Sequence, residues 1–418
     1  MRKKRNYFLF KIILAIFFEL LSHQLLAQIP AFPGAQGWGS TSLGGRGGIV
    51  IEVTNLNDAG IGSLREAINT KGARIIVFRV GGVIELQSEL QIMEPFLYLA
   101  GQTAPGDGIV IKNFPISIFT HDIIIRGMRI RIGDSLPQKS PDNRDCISIQ
   151  KGSHHIVIDH CSLSWAIDEN LSILDSGVHA ITVQWCIISE GLYASIHPKG
   201  FHSMGMLIGS GVSKTSVHHN LFAHNGGRNP MIAQNMDHEF INNIIFDWKF
   251  NSSLLEQGSQ LKIDFIGNYY KPLSYRSNEL PFELDFNSTS ILGTKLFMHD
   301  NYYSPNNPFI TAAQLSAMGA NAILFSNKTL LSFKSSVYID NPFINYPITL
   351  NNAGALHPQR DKTDKRIVQS VIDSTGSLID CIDSIPIFLD SGDIIGATDS
   401  TIVFSLKGKP IAYSASSR

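Results

Sequence analysis

The sequence has few cysteines and no marked excess of charge of either sign. Its 418 residues include four cysteines, and no CxxC pair or Cys/His cluster with zinc spacing occurs. This composition excludes a disulfide-dense scaffold and disfavours structural zinc. A formal charge of −1, with 17% charged residues, excludes a disordered chain and a highly basic, nucleic-acid-binding protein. The GxSxG, HExxH and phosphate-loop patterns are also absent.

The one long apolar run stands at the N-terminus. Basic residues 2–5 precede an apolar stretch from Tyr7 to Leu26 and then Ala27-Gln28, a pattern typical of a secretory signal peptide cleaved after Ala27. Lys11 and Glu19 interrupt the stretch, which disfavours a membrane anchor. We therefore predict a signal peptide at 1–27 and a secreted domain at 28–418, extracellular or periplasmic. Removal of residues 1–27 takes away five basic residues and one acidic residue, which leaves a formal charge of −5.

What the sequence does have is a repeat. Short β-branched or aromatic runs share one phase around Cys161, Cys186, Asn220, Asn243, Asn268 and Asn301, at spacings of 25, 34, 23, 25 and 33 residues. Units of strands and turns with this period predict an all-β fold, a single-stranded parallel β-helix whose like residues stack in ladders. A β-sandwich or propeller is the alternative. The spacings of 33 and 34 indicate external loops.

The two ends differ from the repeat. The Gly-rich segment Ala31 to Gly48 is expected to cap the first coil, and residues 364–374 show the one clear amphipathic helical pattern. The stretch from Pro305 to Pro358 is interpreted as long loops. Arg126, Arg129 and Arg131 alternate along one strand, which is typical of a solvated strand face.

Ladder phase also predicts which polar residues lie together. Asp145 and the pair Asp168-Glu169 each stand at the start of a strand, about one coil apart. Carboxylates stacked in this way form a hard-oxygen site of the kind that binds Ca²⁺; the alternative for each acid is to cap a turn or to pair with a neighbour such as Arg144. Arg228 leaves the same corner two coils after Asp168. The insertion Gly191 to Gly205 between them carries His197, Lys199 and His202, which would overhang the same groove.

Several segments together resemble the secreted pectate lyases of polysaccharide lyase family 1. They are AFPGAQGWGS, TNLNDAGIGSLREAI, LAGQTAPGDGI, IDHCSLSWAIDENLS, HHNLFAHNGGRNP and HPQRDKTDKRIV, and they span nearly all of the mature chain. The resemblance implies a right-handed parallel β-helix that cleaves polygalacturonate by Ca²⁺-assisted β-elimination. In that family an Arg-x-Pro-x-x-Arg segment opens with the base that takes the C5 proton. It maps onto Arg228 with Pro230, while calcium ligands map onto Asp145 and Asp168.

The sequence departs from the family pattern at three positions. Ala233 stands where the second arginine is expected, Ser172 falls at the third family aspartate, and the family's substrate-binding lysine falls near Met204. We expect Glu169 to be the third metal ligand, and Lys199 or His202 to supply the missing cation at the substrate. A monomer that acts on acidic plant polysaccharide, and on neither nucleic acid nor membranes, is the resulting prediction.

Two other classes stay open from sequence. A β-helix glycoside hydrolase needs paired carboxylates about 5–9.5 Å apart across the groove, whereas the acids found here fall on one side of Arg228. A non-catalytic carbohydrate-binding β-helix would need neither Arg228 nor the acids.

Overall fold

Alternating apolar residues form three long parallel sheets. The computed structural model describes residues 29–135, 144–233, 236–256, 261–273, 282–285, 295–304, 324–326, 336–382, 387–388 and 394–395. The predicted signal peptide lies outside these residues. Within them, the chain passes repeatedly from sheet A to sheet B to sheet C, and from Arg74 to Asp285 each pass adds one parallel strand to every sheet. This is a right-handed parallel β-helix, as predicted.

The strands are short, as expected for β-branched runs broken by turn residues. Sheet A contains Ile49–Val53, Arg74–Phe78, Leu97–Ala100, Ile123–Arg126, His154–Asp159, His179–Gln184, Ser213–His218, Met236–Ile241, Leu261–Ile266, Lys295–His299 and Leu324–Ser326. Sheet B contains Gly82–Glu85, Ile109–Lys112, Arg129–Arg131, Ser162–Ser164, Ile187–Ser189, Leu221–Ala223, Ile244–Phe246, Tyr269–Lys271 and Tyr302–Tyr303. Sheet C contains Leu90–Ile92, Ile116–Ile118, Ile147–Ile149, Glu169–Ile173, Met204–Ile208, Met231–Ile232, Ser253–Glu256 and Phe282–Asp285. Ile387–Phe388 and Ile394–Ile395 form a separate antiparallel pair.

Register places like residues on top of one another inside the coil. Ile125, Ile158, Val183 and Val217 occupy matching positions of successive sheet A strands, and all four are buried. Their side chains belong to one continuous apolar core that also contains Cys146, Cys161 and Cys186. These three cysteines are buried and form no disulfide, as the repeat predicts.

The predicted ladder lies at the corner between sheets A and B. The side-chain amide of Asn220 donates to Asn243 Oδ1 (3.0 Å), that of Asn243 to Asn268 Oδ1 (3.1 Å), and that of Asn268 to Asn301 Oδ1 (2.8 Å). In the coil before Asn220, the backbone N–H of Cys186 donates to Asn220 Oδ1 (2.8 Å). Each amide therefore satisfies buried polar groups of two neighbouring coils. We call this series the A–B ladder.

Helices cover the first coil and one face. Helix α1 (Leu64–Asn69) buries Leu64, Ala67 and Ile68 in the end of the core. Helix α2 spans Pro342–Asn352, with Pro342 in the first turn and Pro347 inside it. Helix α3 spans Lys362–Asp373 and begins at the N-cap Asp361, which accepts a hydrogen bond from the Asp364 backbone (2.9 Å). A 3₁₀ turn lies at Gly101–Thr103. Within the described residues, no helix has the length and apolar character needed to cross a membrane.

The Gly-rich segment corrects one expectation. It does not cap the first coil but runs along the outer face of sheet A, where the Trp38 backbone donates to Ser216 Oγ (2.8 Å) and that of Leu43 to Asp122 Oδ1 (2.8 Å). Its glycines allow this close approach, because a Cβ on Gly39 would lie 2.2 Å from the Ile156 carbonyl oxygen and one on Gly45 would lie 2.1 Å from that of Arg74. The cap of the first coil is α1.

Two further expectations were wrong. The stretch from Pro305 to Pro358 is not all loop, since it contains α2 and the strand Leu324–Ser326; its other described residues are 336–341 and 353–358. Arg129 and Arg131 are buried under α3, not solvated. Arg131 donates to Asp361 (2.5 and 3.0 Å) and to Asp364 (3.0 Å). The start of helix α3 therefore packs on this polar strand face and buries it.

Candidate active site

Three acids meet at the corner between sheets B and C. The register Ile147↔Leu171 places Asp145 and Glu169 at matching positions of neighbouring strands, and Asp168 precedes Glu169. One carboxylate oxygen from each of Asp145, Asp168 and Glu169 lies within 4.8 Å of the others. The Glu169 backbone donates to Asp145 Oδ1 (3.1 Å). The three predicted metal ligands are therefore brought together.

The electrostatics of this acid cluster are unfavourable without a counter-charge. Burial raises the pKa of Asp145 to about 7, and the nearby Asp168 carboxylate adds to the rise. Burial and the charges of Asp145 and Asp168 also raise the pKa of Glu169 well above its ordinary value. Buried carboxylates that repel one another in this way are typical of a cation site, and oxygen donors are the ligands that Ca²⁺ prefers.

Arg228 reaches the same cluster from two strands away in sheet C. Its Nη1 donates to Glu169 Oε1 in a short ion pair, and its backbone N–H donates to Asn251 Oδ1 (3.3 Å). The backbone at Arg228 is left-handed, with φ of 55°. The next residue but one, Pro230, is buried, and its carbonyl accepts from the Leu254 backbone (2.9 Å). Sequence phase thus placed Arg228 at the correct corner, and the structure adds direct contact with an acid.

Of the two loop residues predicted to supply a cation, His202 contacts the acid cluster and Lys199 does not. His202 is buried, and its Nε2 lies 2.5 Å from Asp168 Oδ1. His197 Nε2 lies 3.7 Å from the same oxygen, and the two imidazoles are stacked with centroids 3.9 Å apart and planes 3° apart. Parallel rings cannot aim both nitrogen lone pairs at one ion, so this trio is poorly arranged for a transition metal. Lys199 is exposed, and its backbone N–H donates to His197 Nδ1 (3.2 Å).

A second amide ladder, which sequence reasoning missed, lies directly behind the cluster. The amide nitrogen of Asn170 donates to Asn225 Oδ1 (3.0 Å), and that of Asn225 donates to Asn229 Oδ1 (3.0 Å). Cys146 Sγ lies 3.6 Å from Asn170 Oδ1. We call these four residues the B–C ladder. Its members Cys146, Asn170 and Asn229 directly follow Asp145, Glu169 and Arg228, so the ladder fixes the backbone at each site residue.

The loop is held from outside by the C-terminal region. The loop residues Leu192 and Ile196 pack with Trp165, Ile379 and Ile382 in a small separate core. The Tyr193 backbone N–H donates to the Ile379 carbonyl (2.7 Å), and Tyr193 O accepts from the His202 backbone (2.9 Å). Nothing in the local sequence signals this contact, because its two sides are almost 190 residues apart.

A groove leads away from the cluster along sheet C. It has a volume of about 690 Å³ and is open along one side. Asp145, Ser148 and Lys151 line it together with residues of earlier coils such as Phe119, and the Lys151 Nζ lies 4.6 Å from the Phe119 ring centroid. The acid cluster therefore stands beside an elongated cleft, which suits a chain-like ligand.

Comparison with known proteins gives consistent relatives. Probable pectate lyase C from Aspergillus terreus is 34% identical over 343 residues, which cover 80% of this chain and 73% of that protein. The Emericella nidulans protein of the same name is 32% identical over 400 residues, 91% of this chain and 86% of that one. The one from Aspergillus oryzae is 39% identical over 247 residues, 58% of this chain and 55% of that one. No protein-family model matches the sequence.

Solved structures share the fold at low identity. A pectate lyase bound to a hexasaccharide has a TM-score of 0.58 and 16% identity, covering 79% of this chain and 99% of that one. A pectate lyase from Bacillus sp. N165 in complex with trigalacturonate has a TM-score of 0.55 and 16% identity over 77% of this chain and 98% of that one. The cedar pollen allergen Jun a 1 scores 0.56 with 18% identity, over 77% and 92%.

Proposed function

The chain belongs to the pectate lyase family, and from that premise we propose that it cleaves polygalacturonate by calcium-assisted β-elimination. The observation that carries the proposal is the acid cluster with its arginine. Asp145, Asp168 and Glu169 gather three carboxylates within 4.8 Å, and Arg228 contacts one of them beside an open groove. Two solved relatives were captured with a hexasaccharide and with trigalacturonate, and this supports an oligouronate as the ligand.

The cluster fits a calcium ion in its donor chemistry. The three acids offer only oxygen, and the raised pKa values of Asp145 and Glu169 express a repulsion that a divalent cation would relieve. A bound Ca²⁺ would supply positive charge to the uronate carboxylate, which makes the neighbouring C5–H more acidic. Asp145, Asp168 and Glu169 would hold it.

Arg228 is the proposed base. It takes the proton from C5, the C5–H electron pair forms the C4=C5 double bond, and the C4–O bond breaks, with a proton from solvent completing the leaving hydroxyl. Free arginine is almost fully protonated near neutral pH because its pKa is far above neutral, and a site that crowds it with cations favours the neutral guanidine that can take the proton. Pro230 fixes the segment after Arg228 at the substrate side of the corner.

In this proposal, neighbouring residues compensate for the three departures from the family pattern. Glu169 serves as a metal ligand in place of an acid at Ser172. Lys199, which is exposed on the same loop, or His202, which donates to Asp168, supplies the cation missing at Met204 and Ala233. Secretion through the N-terminal segment and action as a monomer complete the proposal.

The test is the ultraviolet absorbance of unsaturated product released from polygalacturonate, with calcium and with excess chelator. We expect product in calcium only, and Asp145→Asn should raise the calcium concentration needed for half-maximal rate. Undiminished activity in chelator would refute the calcium role. Release of reducing ends without unsaturation would indicate a glycoside hydrolase, and binding without any cleavage would indicate a carbohydrate-binding protein.

A further inference from the structure

Three aromatic side chains lie beside the candidate site, and two of them are exposed to solvent. We call Tyr193, Phe201 and Phe250 the aromatic platform. Phe201 is 65% exposed and Phe250 is 45% exposed. Exposed apolar residues that are clustered, rather than scattered singly, mark binding surfaces.

The platform is internally ordered. The rings of Tyr193 and Phe201 are stacked with centroids 4.9 Å apart and planes 8° apart, and Phe250 lies 5.9 Å from Tyr193. Lys249 places its Nζ 4.0 Å from the Tyr193 centroid. Phe201 and Lys249 both contact the Tyr193 ring, so the most exposed ring of the platform is that of Phe201, and the Lys249 ammonium group lies against Tyr193.

Short connections tie the platform to the candidate site. Phe201 directly precedes His202, whose imidazole contacts Asp168. The backbone N–H groups of Lys249 and Phe250 both donate to the Gly226 carbonyl (3.0 and 2.7 Å), two residues before Arg228. Both halves of the platform enter the B–C corner from later coils than the acids, while the groove is lined mainly by the coil of Asp145 and the coils before it. The acid cluster lies between them.

The geometry points to a sugar-binding subsite on this platform, where Phe201 stacks on the apolar C–H face of a uronate ring and Lys249, on Tyr193, attracts a carboxylate of the same uronate chain. The inference rests on the proposed function and extends it: the ligand is a uronate chain long enough to run from the groove, across the acid cluster, to the platform. A pyranose ring suits such a surface, because one of its faces carries mainly C–H groups while its edge carries hydroxyl and carboxylate groups. Charge complementarity favours an acidic sugar over a neutral one.

The test measures binding by titration calorimetry with oligogalacturonates of increasing length, in calcium. Arg228→Lys serves as the background, so that turnover does not consume the ligand. Affinity should rise stepwise once the oligomer reaches the platform. Phe201→Ala should abolish that step, a loss of about five- to tenfold, and leave the affinity for shorter oligomers unchanged. Lys249→Gln should weaken the same step and make it less sensitive to salt.

Tyr338 provides the matched control, because it is 66% exposed but lies near Gln36, over sheet A. Tyr338→Ala should keep the step. Persistence of the step in Phe201→Ala, or absence of any length dependence, would overturn the inference. So would a concentration-dependent dimer that Phe201→Ala dissociates, since the platform would then bind a second copy. A step lost in Phe201→Ala, in a protein whose wild type yields no unsaturated product, would uphold the platform and refute the lyase.

Discussion

The two corners of the coil use the same amide chemistry for different purposes. In the A–B ladder, Asn220, Asn243, Asn268 and Asn301 each come from successive coils and satisfy one another along the axis. In the B–C ladder, Asn225 reaches back over a whole coil to Asn170, because the coil between them places Gly205 at that level. The regular ladder holds coils at a common spacing, whereas the irregular one holds three reactive side chains in one place.

The largest expected effect is at the exposed end of the B–C corner. Arg228→Lys keeps a positive charge but loses the planar fork and its reach, so turnover should fall by about 10²–10⁴-fold while oligogalacturonate binding changes little. Steady-state rates and calorimetry give the two quantities.

The control is Arg126→Lys at the other corner, where Arg126 Nε donates to Asp159 Oδ2 (2.6 Å). It should leave turnover near the wild-type value. Near-normal turnover in a folded Arg228→Lys protein would remove Arg228 from the mechanism, and the loop histidines would become the candidates for the base.

The next largest effect is expected from replacing one asparagine in each ladder. Asn225→Leu removes the acceptor of the Asn170 amide and of the Gly191 backbone N–H. Asn268→Leu removes the acceptor of the Asn243 amide. Each should lower the free energy of unfolding by about 1–3 kcal/mol per buried group left unpaired. Asn225→Leu alone should also reduce turnover by about 10–100-fold, since outer residues that orient ligands have effects of that size.

Gly205→Ala sharpens the same comparison with a smaller change. A Cβ there would lie 2.3 Å from Asn229 Oδ1, so the B–C ladder must shift. The calcium concentration for half-maximal rate should rise, and the free energy of unfolding should fall by about 1–3 kcal/mol, because the added methyl group would also lie 2.9 Å from the Arg228 carbonyl oxygen. Equal losses of turnover in Asn225→Leu and Asn268→Leu, measured well below their melting temperatures, would mean that the B–C ladder is merely structural.

Low pH should weaken the ion pair of Glu190 and Arg366, which holds the B–C corner to helix α3. Burial alone would raise the pKa of Glu190, but its two hydrogen bonds from Arg366 (2.6 and 2.8 Å) lower it. A carboxylate with a depressed folded pKa contributes stability above its unfolded pKa, about 4.3, and loses that contribution as the pH falls through the folded pKa. Glu190→Gln should therefore cost about 1–3 kcal/mol at pH 7, and the difference from wild type should shrink below pH 4.

Urea unfolding at pH 7 and pH 3 measures this difference. The exposed pair of Glu52 and Arg79 is the control, and Glu52→Gln should leave the midpoint unchanged at both pH values. A constant difference between wild type and Glu190→Gln from pH 7 to pH 3 would contradict the assignment.

The smallest effect concerns the thiols, which are common to both ladders. Burial raises the pKa of Cys146 and Cys186, so neither should react with a thiol reagent in the native protein. Cys161 is equally buried. Denaturation without reductant should release all three for titration, and failure to do so would mean that they are oxidised.

Sequence periodicity predicted the fold and the A–B ladder because Asn220 to Asn301 repeat at one position per coil. It brought Asp145, Asp168, Glu169 and Arg228 to one corner for the same reason. The B–C ladder was not predicted, because Asn225 and Asn229 belong to a single coil and no repeat relates them to Asn170. Arg131 was misinterpreted because an alternating polar strand looks solvated until a distant helix covers it, and the prolines of α2 concealed its helical pattern.

The packing of the C-terminal region on the inserted loop also has a consequence for the order in which the chain can fold. A chain that emerges N-terminus first has its acids and its histidine loop by residue 205, yet Ile379 and Ile382, which pack on that loop, come almost 180 residues later. Coils can stack one after another as they emerge, each on the last. The loop gains these contacts only after Ile379 and Ile382 have emerged, so the coils that carry the acids can stack before the loop beside them is held in place.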